Sequence, residues 1–133
     1  MNNENNYPLP VTAIHILMLL NALIWLVLGI LLATGLHPAP PESDFAQMMM
    51  AIMSIGTAAV MMGLVLFLQR RNRLAYWLTL ALLAFLFIMT IVDQVGLVDV
   101  IVLVLHLVPF ILLLKERGWY MQPVSGPKNH IAV

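Results

Sequence analysis

Cysteine is absent from the chain. Without a thiol there is no disulfide, no thiolate metal ligand and no cysteine nucleophile, which excludes the thiol-dependent membrane oxidoreductases. Charge is almost as scarce. Lys, Arg, Asp and Glu supply 9% of the 133 residues, against about a quarter in a water-soluble domain. No basic stripe exists of the kind a nucleic-acid partner requires. Nor is there a Gly-rich phosphate loop, a His-Glu-x-x-His zinc site or a credible Ser/His/Asp set. The reading is of a non-enzyme, with no catalytic residue, no metal and no cofactor.

What remains is mostly hydrocarbon. The chain is 62% hydrophobic and its mean hydropathy is +0.99. Four apolar runs, about 11–35, 46–68, 74–92 and 96–114, each come near or exceed the roughly 18 residues that cross a bilayer. In lipid only helices and closed barrels satisfy their own backbone. The expected fold is therefore all-α, an integral membrane bundle of four up-and-down helices with short loops. Residues 1–10 are expected to form a disordered arm, 11–118 the membrane domain, and 119–133 an interfacial anchor followed by a flexible tail. Met1–Pro10 has no positive n-region, so the first run reads as a retained helix rather than a signal peptide.

The cations set the orientation. Arg70, Arg71 and Arg73 occupy the second connection, and Lys115, Arg117 and Lys128 follow the last run. Four crossings bring both groups to one side, which the positive-inside rule makes cytoplasmic along with both termini. Glu42, Asp44, Asp93 and Asp99 fall toward the other side. The preferred address is a bacterial plasma membrane, because no organellar presequence is present.

Local signals mark the helix ends. Pro8 and Pro10 suit the entrance of the first helix, and Ser43 with Asp44 suits the cap and dipole of the second. The connection 69–73 is so tight that helices 2 and 3 are expected to be antiparallel neighbours. Trp119 and Tyr120 read as an interfacial anchor.

Helix contacts in lipid collect small and polar residues. On helix 2, Gly56, Ala59 and Gly63 share one stripe, while Gln47, Ala51, Ser54 and Ala58 share another, as if the helix were sandwiched between two neighbours. His15, Ala22, Gly29 and Ala33 align on helix 1. Asn21 is expected to bond across to another helix and fix register. One small-residue seam could serve a partner, so a homo-oligomer or another membrane protein is expected beside the lipid bilayer itself.

The residues with chemical potential are few. Asp99 and His106 share a face of helix 4, about 10 Å apart along its axis, and ionisable groups at such depth mark a site by default. Pro109 has no N–H for the Leu105 carbonyl, leaving a spare acceptor beside His106. With Thr90, Asp93 and His15 these could form a polar path for a proton or ion. The structural alternative is preferred: a neutral His106 bonded to Ser54, Thr57 or Thr79. Six methionines on helix 2, with His37 nearby, suggest copper(I) only weakly, because they share no single face. Small multidrug transporters are a comparison by helix count alone, since their intramembrane glutamate has no counterpart in helix 1.

The topology has a direct test, helped by the lack of native thiols. Arg71→Cys and Lys128→Cys are expected to react with an impermeant thiol reagent from the same face of sealed vesicles. Reaction from opposite faces would overturn the threading.

Overall fold

A computed structural model describes residues 8–37, 43–92 and 97–122, with the side chains of 97–99 outside that description. The described residues fold into α1 (Leu9–Ala33), α2 (Asp44–Gln69), α3 (Arg73–Val92), α4 (Leu97–Lys115) and a short α5 (Arg117–Met121). Among them α1, α2 and α3 are long and apolar enough to cross a membrane, with mean hydropathies of 2.7, 2.2 and 2.3. α4 has 19 residues, and its described part from Val100 to Lys115 is a shorter apolar helix interrupted by His106. Large apolar side chains cover the outside: Leu66 is 60% exposed and Ile88 57%. Surface of this kind suits lipid and not water.

The ends form as the local residues require. Pro8 caps α1 with Pro10 in its first turn, where a missing N–H costs nothing. α1 stops at Gly35, whose φ is +71°. The N–H of Leu36 donates to the Leu31 carbonyl and that of Gly35 to Leu32, the paired closure of a Schellman end. The Ser43 hydroxyl accepts from the Ala46 N–H at 3.2 Å, and Asp44 lies in the first turn of α2.

The connection from α2 to α3 closes in the same way, but with arginine. Arg71 holds φ +53°, its N–H donates to Leu68, and that of Asn72 donates to Phe67. A left-handed non-glycine residue costs about 1 kcal/mol. The Arg71 guanidinium lies 3.9 Å above the Trp119 ring, a contact of similar size. Asn72 then caps α3 through its side-chain oxygen, which accepts from Leu74 at 2.9 Å and Ala75 at 3.3 Å.

α1 packs most extensively against α2, and α3 against α4, while α1 also meets α4. α2 and α3 touch only sparsely. The tight connection therefore joins their ends without making them close neighbours. A groove of about 260 Å³, lined in part by Val60, Gly63, Phe67 and Leu78, opens between them.

The core gathers at one end. It joins Val11, Ile14 and Met18 of α1 to Met61, Val65 and Leu68 of α2, with Tyr76 and Leu83 of α3, Leu113 of α4 and Tyr120 of α5. Tyr120 is fully buried and stacks 5.6 Å from Tyr76, whose hydroxyl donates to the Leu113 carbonyl at 3.2 Å. It is thus a core residue, on the buried side of the short α5 whose place after Lys115 and Arg117 suggests an interfacial anchor. Burial pushes its phenol above the ordinary range, with smaller pushes from Glu116 and Tyr76.

α2 corrects a second expectation. Its buried face is Ala51, Ser54, Ala58, Met61, Leu64, Val65 and Leu68, the predicted second stripe extended by larger residues. Gly56 and Ala59 face outward and Gly63 is half-buried. A Cβ added at Gly56 or Gly63 meets nothing within 4 Å. The helix is not sandwiched along its length, because α1 covers one side and α3 meets it only sparsely. Gly29, by contrast, is a point of close approach, where an added Cβ would lie 2.6 Å from Ile55 Cγ1 and 3.2 Å from the Ala51 carbonyl. Ala33, aligned with Gly29 in the sequence, faces outward.

These two environments predict opposite outcomes for the same substitution. Gly29→Ala is expected to lower stability by about 1–3 kcal/mol, because Ile55 and the α2 backbone must give way. Gly56→Ala in the monomer should be neutral or slightly stabilising through helix propensity. Reversible unfolding in mixed micelles compares them, and equal effects would refute the packing assigned to Gly29.

Candidate functional site

Asn21 has twelve residues of α1 on either side, and His106 has nine of α4 on either side. Both polar residues are therefore at the midpoints of their helices. They are also nearly sealed, Asn21 at 1% and His106 at 0% exposure. The link between them is the carbonyl that Pro109 leaves without a backbone donor. The Asn21 side-chain amide donates to that Leu105 oxygen at 3.1 Å. The spare acceptor expected beside His106 is thus engaged by a helix-crossing asparagine, and the cross-helix bond expected of Asn21 has a backbone partner.

His106 turns back on its own helix. Its Nδ1 is 2.7 Å from the Val102 carbonyl. A carbonyl can only accept, so Nδ1 carries the proton and Nε2 presents a lone pair. Trp25, one turn beyond Asn21 on α1, brings its ring edge-on to His106, with centroids 6.4 Å apart and planes at 68°. Asn21, Trp25 and His106 form one polar node in otherwise apolar surroundings. Sequence reasoning missed Trp25, though its i+4 spacing from Asn21 puts it on the same face.

The hydroxyls expected to satisfy His106 are otherwise engaged. Ser54 donates to Met50 at 2.8 Å, Thr57 to Met53 at 2.8 Å and Thr79 to Ala75 at 2.7 Å, each on its own helix. Thr90 likewise donates to Leu86 at 2.8 Å. The side chain of Asp99, and Asp93 altogether, lie outside the described residues, so the Asp99–His106 part of the expected path has no described geometry. His15 is buried on α1, six residues from Asn21 and so about 9 Å away along the axis.

The cations show a second grouping. Arg71 covers Trp119, Arg73 donates to the Met121 carbonyl at 3.0 Å, and Arg117 lies 5.8 Å from the Trp77 ring. The 70–73 connection and the segment after α4 therefore meet at one end of the molecule. Arg70 and Lys115 are exposed at those same two segments. Lys128 lies outside the described residues.

No group of three or more His, Asp or Glu able to hold a metal occurs among the described residues. Met48, Met49, Met50 and Met53 are exposed, whereas Met61 is in the core. Comparison with known protein families, curated proteins and solved structures finds no match.

The chemistry of this arrangement is helix registry by a side chain that replaces a missing backbone donor. Asn21→Leu is expected to cost about 1 kcal/mol by leaving the Leu105 carbonyl unpaired. Pro109→Ala restores an N–H four residues on, so in that background the Asn21→Leu cost should shrink. A double-mutant cycle on unfolding in micelles reads this coupling. Additive effects would mean that the carbonyl does not need Asn21.

Proposed function

We propose that the chain is a small polytopic membrane protein without catalysis of its own, acting as an accessory, scaffold or regulatory subunit through transmembrane helix contacts. In this reading α1 to α4 all cross the bilayer as an antiparallel bundle. Both termini are cytoplasmic, and the membrane is the bacterial inner membrane. The meeting of the two basic segments at one end supports that threading, since cations favour the cytoplasmic side.

One observation carries the functional part: the outward face of α2. Small residues draw helices together in lipid because they let backbones approach. Gly29 does this work inside the chain, whereas Gly56 and Ala59 stand exposed and Gly63 borders the open groove beside α3. A seam of this composition that α1 and α3 leave uncovered suits a helix from another protein or from a second copy.

A second reading makes the chain a transporter or channel component with a polar path through Asp99 and His106. It is favoured by the mid-helix depth of His106 and the cost of placing an ionisable group there. It needs a continuous polar route, and the hydroxyls of Thr79 and Thr90 are bonded to their own helices.

Purification of the tagged chain from native membranes is expected to recover a defined membrane partner or oligomer, which Gly56→Leu and Gly63→Leu weaken without reducing accumulation. Recovery of the monomer alone, with no crosslinked species at any reagent dose, would refute the contact reading. Proton or solute flux through vesicles holding only this chain, lost in His106→Leu, would favour the second.

A further inference from the structure

Three buried polar atoms of the mid-helix node have no hydrogen-bond partner among the described residues: Asn21 Oδ1, Trp25 Nε1 and His106 Nε2. They belong to side chains already brought together, Asn21 through the carbonyl next to His106 and Trp25 through its edge contact with the imidazole. Leaving such groups unpaired costs about 1–3 kcal/mol each, and three in one place is a large debt for a protein of this size. Their donor and acceptor roles are defined. Asn21 uses its amide N–H on Leu105 and offers its oxygen as an acceptor. His106 holds its proton on Nδ1 and offers Nε2 as an acceptor. The indole of Trp25 can only donate.

We infer that Asn21, Trp25 and His106 bind a single water molecule between α1 and α4. The complement of two acceptors and one donor is a guest that donates twice and accepts once. Water meets that description, and buried waters characteristically make about three hydrogen bonds to groups left over by the protein. A quinone or other carbonyl guest accepts only, and would serve Trp25 while leaving both acceptors bare. A metal ion or an ammonium would serve the two acceptors and face the indole N–H with the wrong polarity. The rings of Trp25 and His106 make no direct N–H···N bond, and they meet edge-on beside the carbonyl that Asn21 engages, so the three side chains share one place in the α1–α4 contact.

The water joins what Asn21 begins. Its bonds cross from α1 to α4 beside the Asn21–Leu105 bond, so the two helices are tied by a small network at their midpoints. The assignment does not depend on whether the chain acts as a contact subunit or as part of a conduit.

The test uses the full chain in lipid bilayers and magnetisation transfer from water protons, read on the three tryptophan indole N–H groups by solid-state NMR. Trp25 is identified by loss of its signal in Trp25→Phe. The expected result is transfer from water to the Trp25 indole that persists when bulk water is frozen out. It should fall to the level of an acyl-chain contact in both Asn21→Leu and His106→Leu. Trp119, in α5 beside the exposed basic segments, serves as the comparison signal. Transfer to Trp25 from acyl chains alone would overturn the proposal, as would a direct coupling between Trp25 Nε1–H and His106 Nε2. Unchanged water transfer in both variants would overturn it too. If neither variant inserts, the wild-type measurement decides by itself.

Discussion

A carbonyl that loses its backbone donor in apolar surroundings is costly until a side chain, a water or a shifted backbone bond satisfies it. Pro109 creates such a carbonyl at Leu105, and Asn21 answers it from the middle of α1. Apolar side chains slide past one another in lipid at small cost, because leaving lipid for protein removes no water. A directional bond at both midpoints fixes rotation and height together. The rings of Trp25 and His106 follow from that register, since each is one turn or less from an end of the bond.

Two devices complete the assembly. Gly29 brings α1 and α2 close enough for their backbones to touch, and the Gln47 side chain donates to the Leu32 carbonyl at 2.6 Å across the same pair. At the opposite end, α5 is drawn in by Tyr120 under Tyr76 and by Trp119 under Arg71. The unfavourable backbone of Arg71 makes sense there. The left-handed turn that ends α2 is what carries the guanidinium over the indole.

Much of this was legible in the residues, for identifiable reasons. Ser43 before an apolar run is a cap signal, and the structure uses it. The loose carbonyl at Leu105 follows from counting four residues back from Pro109. Asn21 was expected to bond across the bundle, but its partner is a main-chain atom, which no side-chain pattern announces. The burial of Tyr120 is not legible, because an aromatic residue after Lys115 and Arg117 looks the same in sequence whether its ring is exposed or folds beneath the helix ends. The stripe Gly56, Ala59 and Gly63 reads as a contact seam, inside the bundle or toward a partner, because small residues favour contact. Where every face of a helix is apolar, composition does not distinguish a face turned to a neighbour from one turned to lipid.

The lopsided core has a mechanical corollary. Its packed side chains cluster around the starts of α1 and α3, the finish of α2 and the short α5, while at the far end only α1 and α2 are pinned together, by Gly29 and Gln47. Local opening is then easiest where α3 and α4 run beyond that cluster, and hardest where α5 closes over it.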